Sequence, residues 1–284
     1  MSRSQFACSV AVSLLLGSAV LSVAQPRDIR IVAPYAGRVT SVYQRDSDYG
    51  DIELKDSDLM LGLYTQWIRP GSFQANMFVY HAPDVNYASL WGLHSNLDFY
   101  VTLGLLRNMV IGGGLELISI TIDAGDNITV ETQSGTARLE DFELQSSIVV
   151  PFLRAGKQFP LSNRWAELVI FPWAGAEIDF IRGDLSFTVP PGDPFPPAVE
   201  VETDLDDTSL YALAGINLRS TLLRFVQLDA KYSAAFDPYT WYPRASLMTN
   251  VFFTRNLGVS YRFSYMQTSA GSTLYNIFGV VATF

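Results

Sequence analysis

Apolar and polar residues alternate with a period of two along most of this chain, from residue 28 to its end. Leu257, Val259 and Phe263, for example, alternate with Ser260 and Arg262. Such alternation is typical of a β-strand with one apolar and one polar face, whereas a helix repeats its apolar residues every three or four positions. The pattern therefore predicts an all-β protein.

The composition favours a membrane protein. Only 17% of the residues are charged, against roughly 25% in soluble proteins. After residue 24, no stretch approaches the roughly 18 consecutive apolar residues that a spanning helix needs. In hydrocarbon every backbone N–H and C=O must be paired, so a chain that spans with strands has to close its sheet. We therefore predict a transmembrane antiparallel β-barrel.

The first residues have the layout of a secretory signal peptide, which begins with a basic residue and continues with a short apolar stretch. Arg3 is the basic residue, and 11–20 is the apolar stretch. We predict cleavage before Gln25, which assigns 1–24 to a signal peptide and 25–284 to the barrel. The alternative, an N-terminal membrane anchor, requires a longer apolar run.

Charge and cysteine content narrow the classes of partner and site. The formal net charge of −9 disfavours a nucleic-acid partner, because surfaces that bind nucleic acid are normally basic. Cys8 is the only cysteine and lies in the predicted signal peptide, so the mature chain has no thiol, disulfide or cysteine metal site. We predict neither a metal site nor a cofactor.

The alternation predicts about 12 strands. Their expected ranges are 28–45, 54–69, 72–82, 90–105, 108–122, 137–154, 163–183, 203–220, 223–236, 241–254, 256–268 and 274–284. The connections alternate between short turns, including a longer one at 156–162, and longer polar loops, including 123–136 and 183–203. This alternation is typical of outer-membrane barrels, in which the short turns and both termini face the periplasm.

The last ten residues resemble the insertion signal of bacterial outer-membrane barrel proteins. The residues that carry this resemblance are Phe278, Gly279, Val280, Ala282 and Phe284. It implies an exported protein in the outer membrane of a Gram-negative bacterium, with outer-membrane lipid and the barrel-assembly machinery as partners. Asn276 departs from the pattern, because it is polar on the lipid-facing register. The alternative is a soluble secreted β-sandwich with an incidental terminal Phe.

If the apolar face contacts lipid, the opposite, charged face lines the lumen. The predicted lumen and selectivity residues are Asp98, Asp141, Glu143, Glu167, Glu177, Asp179, Arg219, Asp229, Lys231, Arg244 and Arg262. The acidic groups of strands six and seven face basic groups of strands eight to eleven, which predicts a transverse field that sets ion preference. The alternative is that these groups pair across a narrow barrel and fill it.

The function that these features favour is a porin-like pore for the passive passage of small polar solutes or ions. One alternative is a structural or adhesive surface protein with a closed lumen. A second is a lipid-modifying enzyme, because His94-Ser95-Asn96 superficially resembles the outer-membrane phospholipase and lipid A deacylase families, in which His and Ser are two residues apart on one strand. Here they are adjacent and point to opposite faces, so we predict no catalytic residue.

Overall fold

The computed structural model describes residues 28–284 except 48–49, 70, 84–87, 102–103, 126–127, 133–134, 164, 191–198, 224 and 269–270. The predicted signal peptide therefore lies outside the described residues. The described strands are β1 Ile29–Ser47, β2 Gly50–Arg69, β3 Phe73–Ala82, β4 Ala88–Val101, β5 Met109–Gly125, β6 Ile128–Thr132, β7 Gly135–Lys157, β8 Phe159–Ser162, β9 Ala166–Val189, β10 Val199–Asp204, β11 Asp207–Leu222, β12 Val226–Phe236, β13 Trp241–Phe252, β14 Leu257–Thr268 and β15 Gly271–Thr283. A short 3-10 helix, Gly104–Leu106, follows β4. No helix in these ranges is long and apolar enough to cross a membrane.

Twelve of the described strands form the wall of a closed antiparallel barrel, which confirms the predicted fold class. Each wall strand pairs with the wall strands before and after it, and β1 pairs with β15 to close the ring. Val39 of β1, for instance, lies opposite Tyr275 of β15. Closure leaves no open sheet edge along the wall, which is the condition for spanning hydrocarbon with strands.

The remaining strands, β6, β8 and β10, extend the wall at its ends. β6 pairs with β7 and β10 pairs with β9, and both lie at the end of the barrel that carries the longer connections, the long-loop end. β8 pairs with β9 at the opposite end, the short-turn end. The predicted loops 123–136 and 183–203 and the predicted turn 156–162 are therefore wrong in large part, because most of their described residues are strand. The proline-rich segment 191–198 lies outside the described residues.

β1 runs unbroken through Pro34, although proline has no N–H to donate to a ladder. Pro34 lies opposite Leu63 of β2. On the other side, the bridges to β15 are missing at Ala33 and Pro34 and resume at Tyr35, opposite Gly279, in the same register. The proline therefore costs local hydrogen bonding but does not shift the strand.

The middle of the wall is apolar outside and polar inside. Its exposed apolar side chains, which we call the apolar belt, include Leu97, Phe99, Ile111, Leu153, Ile178, Phe180, Leu210, Ile216, Leu218, Val251, Val259, Phe278 and Val280. In a single-layer wall, buried side chains can only lie inside. At this level they include Gln74, Asn76, Asn96, Asp98, Arg154 and Glu177. An outward apolar band around a polar interior is the pattern of outer-membrane barrels.

Beyond the belt, towards the long-loop end, β7 and β9 reverse this pattern. Their inward side chains, together with one residue of β5 and one that follows β10, form an apolar group that we call the upper cluster. It comprises Ile122, Leu139, Phe142, Leu144, Leu185, Phe187 and Leu205. Asp141 and Glu143 are exposed on the outer face. Their predicted place in the lumen is therefore wrong. A strand that rises above the lipid has water outside, so its polar face turns outward while the period of two is unchanged.

The last strand, β15, presents the predicted insertion-signal residues in the expected alternation. Those exposed on the outer face are Phe278, Val280 and Phe284. Gly279 faces inward. Asn276 accepts a hydrogen bond of 2.8 Å from the Tyr261 hydroxyl, so the polar residue on the outer register has a partner there. The role of this strand in insertion stays a prediction.

Candidate lumen site

The interior of the barrel has an aromatic side and a charged side. The aromatic side belongs to β1, β2, β3 and β15, and its buried rings are those of Tyr35, Tyr64, Phe78, Tyr80 and Tyr275. The rings of Phe78 and Tyr80 are stacked with centroids 5.3 Å apart, and Tyr275 lies 5.7 Å from Phe78. These rings form one packed cluster, which we call the ring cluster.

Arg262 extends from β14 into the ring cluster. Its guanidinium carbon lies 4.0 Å from the centroid of Phe78 and 5.3 Å from that of Tyr64. Its register partners on the two adjacent strands, Met248 and Ile277, are apolar. Within the described part of the chain, the Nη1 atom of Arg262 is buried without a hydrogen-bond partner, and no carboxylate lies at ion-pair distance. Aromatic faces therefore stabilise this cation in place of a counter-ion.

The charged side begins with a buried ion pair that a glycine makes possible. Asp98 on β4, Gly112 on β5 and Arg154 on β7 lie opposite one another in register. Arg154 donates hydrogen bonds of 2.8 and 3.0 Å from Nη2 to the two carboxylate oxygens of Asp98. A Cβ at Gly112 would lie 2.1 Å from Oδ1 of Asp98. The missing side chain thus leaves the space in which residues two strands apart can pair.

Two further ion pairs occupy this side. Arg244 donates hydrogen bonds of 2.6 and 2.5 Å to the carboxylate of Glu177, across the two strands that separate β9 from β13. Arg219 lies opposite Asp229 in register and donates bonds of 3.4 and 3.2 Å to it. These ion pairs agree with the alternative stated above, in which opposite charges pair across the interior. They do not form the separate acidic and basic sectors that a transverse field requires.

Lys231 differs from these residues because its register partners are neutral. Asn217 lies opposite it on β11, and Ser246 lies opposite it on β13. Asp229, two residues earlier on the same face, is paired with Arg219. Among the described residues, no carboxylate lies at ion-pair distance from Lys231. Lys231 and Arg262 are thus two interior cations that form no ion pair in the described residues, and Asp229 acts on Lys231 only at longer range.

Two cavities lie along the charged side. The larger, of about 140 Å³, has His94, Glu116, Phe152, Trp173, Tyr265 and Arg262 among its lining residues and reaches Thr273 towards the long-loop end. The smaller, of about 20 Å³, reaches Gln158 and Val169 towards the short-turn end. Arg154, Asn217 and Lys231 line both cavities. The two spaces therefore meet at this group, which we call the waist.

Eight of the predicted lumen residues lie inside the wall. They are Asp98, Glu177, Asp179, Arg219, Asp229, Lys231, Arg244 and Arg262. Glu167 is exposed at the short-turn end of β9. Among the described residues, three interior charges were not predicted: Asp58, Arg154 and Glu116. Arg154 lies on the same face of β7 as the apolar Phe142, so its interior position could have been predicted only by assigning that apolar face to the interior. Glu116 is a charged residue in a strand that is otherwise mostly apolar, and this contrast could have identified it.

His94 faces the interior, and Ser95 faces away from it. The Nδ1 atom of His94 lies 3.8 Å from a carboxylate oxygen of Glu116, its register partner, and its ring stacks on Phe152. The Ser95 hydroxyl instead donates to the carbonyl oxygen of Leu115. The two side chains therefore form no nucleophile–base pair. The described residues contain no group of three or more metal-ligating side chains that could hold an ion.

No protein-family model matches the sequence, and no curated protein matches it. Among solved structures, the chain is similar to the translocator domain of the autotransporter NalP from Neisseria meningitidis, with 14% identity over 99% of this chain and 97% of that one and a TM-score of 0.51. Other matches are the β domain of the Bordetella autotransporter BrkA (16% identity, 88% and 98% covered, TM-score 0.42) and the Pseudomonas putida toluene transporter TodX (11% identity, 93% and 91% covered, TM-score 0.41). The likeness to NalP shows that the fold is that of a bacterial outer-membrane β-barrel.

Proposed function

We propose that this barrel passes small polar solutes or ions along the charged side of its interior. The observation that carries the proposal is that Arg154, Asn217 and Lys231 line both cavities, so polar spaces adjoin along the barrel axis. The ring cluster occupies the other side. A 12-stranded interior lies between side-chain-filled small barrels and open 16-stranded porins. The route is therefore narrow, and its conductance is small.

The proposal places the chain in the outer membrane. The apolar belt supports this location, because it supplies the outward apolar band that lipid requires. The exposed aromatic end of β15, with Phe278 and Phe284, supports recognition by the barrel-assembly machinery during insertion. Cleavage of residues 1–24 during export belongs to the same proposal.

The charges that line the waist and the larger cavity favour anions over cations. Arg154 is neutralised by Asp98, and Arg244 by Glu177. Lys231 and Arg262 form no ion pair in the described residues, against the single carboxylate of Glu116 beside His94. A cationic constriction lowers the barrier for anions and raises it for cations. We expect a reversal potential of the anion-selective sign.

The test is single-channel recording of the protein purified from membranes of expressing cells and incorporated into planar bilayers in a salt gradient. We expect small, stable steps with anion preference. Lys231→Gln should reduce that preference, because it removes a waist cation. Lys157→Gln is the matched control, because Lys157 is exposed at the end of β7. A folded barrel without steps, or equal selectivity in both variants, would refute the proposed route.

A second candidate function is a surface protein with a closed lumen that acts through the ends of its hairpins. The observation that favours it is that β5–β6 with β7, and β9 with β10, extend past the apolar belt around the upper cluster. Shortening both hairpins beyond the upper cluster distinguishes the functions. A pore keeps its ion preference after this deletion, whereas a surface-binding protein loses its attachment to its target.

A further inference from the structure

The larger cavity combines features that point to a particular kind of ligand. Its volume of about 140 Å³ is close to the roughly 150 Å³ of an apolar cavity that holds one benzene molecule. It is bounded by the rings of Phe152, Trp173 and Tyr265 and by charged side chains. It is therefore large enough for a compact organic molecule and too small for a sugar chain or a peptide.

The charges that face this cavity are unbalanced. Arg244 and Arg154, which also line it, already have carboxylate partners. The cations that remain are Lys231 and Arg262. Glu116 is the remaining carboxylate of the lining, and it lies beside His94. Asp179, two residues beyond Glu177, is buried but is not part of the lining. Removing cations from water is costly unless an opposite charge compensates them.

Five buried side-chain atoms of the described residues have no hydrogen-bond partner, and the two that belong to residues lining this cavity are N–H groups of adjacent strands. The other three are oxygens of Asn96, Asp179 and Asp229, which do not line it. Nη1 of Arg262 and Nε of Arg244 are buried N–H groups that donate to no acceptor in the described residues. A buried donor left unsatisfied destabilises the protein, and more so when it is charged. An anionic acceptor between Lys231 and Arg262 would satisfy one such donor and neutralise part of the excess charge.

The apolar part of the lining limits what that anion can be. The indole of Trp173 donates to Asn217 at 3.0 Å, which fixes the ring in the wall. A Cβ at Gly215 would lie 2.5 Å from this indole, so the glycine lets the ring lie against the strand. Phe152 is held by stacking on His94. A small hydrated inorganic anion would leave these rigid rings in contact with water, whereas a flat organic body would cover them.

We propose that the larger cavity binds a small organic monocarboxylate with a flat apolar body of about one ring, with its carboxylate at Lys231 and Arg262 and its body against Trp173 and Phe152. The site deepens the proposed function and rests on it only for the ligand's route of entry. It would make the channel selective for organic anions over inorganic ions of the same charge.

The experiment is equilibrium binding of 4-fluorobenzoate to the detergent-solubilised full barrel, followed by ¹⁹F NMR. We expect saturable binding at one site per chain. The neutral isostere 4-fluorobenzamide should bind at least about 10-fold more weakly, because a hydrogen bond to a charged group contributes about 1.5–3 kcal/mol. Benzoate should displace the probe, whereas acetate, which lacks the ring, should displace it poorly.

Variants locate the site. Lys231→Gln should weaken binding by about 10- to 100-fold, and Lys231→Arg, which keeps the charge, should restore it. Lys157→Gln should bind as the wild type does. Arg262→Gln is the second variant, with Arg255→Gln in an exposed turn as its control. Equal affinity for benzoate and benzamide, or equal loss in Lys231→Gln and Lys157→Gln, would overturn the site.

The binding and conductance experiments separate the two proposals. Binding without conductance would retain the carboxylate site and refute passage through the waist. Conductance without saturable binding would retain the route and refute the site. If inorganic phosphate displaced the probe at the same concentration as benzoate, the assignment of an organic ligand would be refuted.

Discussion

Strand β7 crosses two levels of the barrel at which its apolar and polar side chains lie on opposite sides of the wall. At the belt, Leu153 is exposed to the outside and Arg154 is buried inside. Towards the long-loop end, Glu143 is exposed and Phe142 is fully buried. The pairing with β5 keeps one register from Lys157 to Glu143 and shifts at a bulge opposite Phe142. Inward and outward side chains of β7 nevertheless alternate without a break from Arg154 to Phe142, so the two levels differ mainly in the medium outside the wall. The comparison shows that alternation separates two faces, whereas the medium decides which of them is apolar.

The largest expected effect on stability comes from a substitution inside the wall, at the level of the apolar belt. Asp98→Ala leaves Arg154 buried and unpaired, which should lower the free energy of unfolding by about 3–5 kcal/mol. The measurement is denaturant unfolding in detergent followed by tryptophan fluorescence. The double variant Asp98→Ala with Arg154→Met should recover most of the loss, because both charges are then gone. A double variant as unstable as the single one would contradict the importance of the pair.

At the upper level, the corresponding inward position is apolar. Phe142→Ala removes a fully buried ring from the upper cluster and should lower the free energy of unfolding by about 3–5 kcal/mol. Gln145→Ala, on the exposed outer face of the same strand, should change it by less than about 0.5 kcal/mol. If the two variants were equally stable, the assignment of inner and outer faces above the belt would be wrong.

Substitutions on the outer face of β7 test where the lipid-facing part of the wall ends. Leu153→Arg places a charge on the belt and should cost about 2–4 kcal/mol near the bilayer midplane, whereas Ser147→Arg, on the same face above the belt, should cost about 0–1 kcal/mol. Unfolding from phospholipid vesicles measures both. Equal costs would mean that the two positions share one medium, and the contrast between the levels would then disappear.

The smallest expected effect on stability is at the short-turn end, where the residue before β1 contacts the last residue of β2. Arg69 donates hydrogen bonds of 3.1 and 3.0 Å to Asp28, and this contact lowers the pKa of Asp28, with a smaller contribution from the Trp67 indole. A carboxyl group with a lowered folded-state pKa stabilises the fold above its unfolded pKa of about 3.9 and loses that stabilisation as the pH falls through the folded value. On acidification below pH 5, the wild type should therefore lose slightly more stability than Asp28→Asn. An identical acid profile in the two proteins would show that the contact does not stabilise the fold.

The number of wall strands and the fold class were predictable from the sequence, because period two survives wherever a strand has two different faces. Even Pro34 did not mislead the prediction of β1. What alternation could not supply was the side of the wall on which each face lies. Asp141 and Glu143 were assigned to the lumen by extending the rule of the belt to a level above it. The segments 123–136 and 183–203 were predicted to be loops because both are polar and the second is rich in proline.

The pairing inside the wall was less predictable. Asp98 and Arg154 are 56 residues apart and meet only because Gly112 lies between them in register. Residues 112–114 are three consecutive glycines, and glycine inside a strand often indicates a close approach of other atoms, but the sequence alone does not state which atoms approach. Lys231 and Arg262 were identified as lumen charges, whereas their lack of ion pairs depends on the register of four neighbouring strands.

The pairing of β1 with β15 has a consequence for how the barrel assembles. These two strands lie at opposite ends of the described chain, and the backbones of Arg30 and Phe284 exchange hydrogen bonds of 3.3 and 2.9 Å. Every other junction of the wall joins two wall strands that are consecutive along the chain. The β1–β15 junction therefore has the greatest sequence separation and the highest entropic cost of loop closure. We therefore expect it to be the slowest junction to form, and a change that weakens its pairing would leave two unpaired strand edges at once.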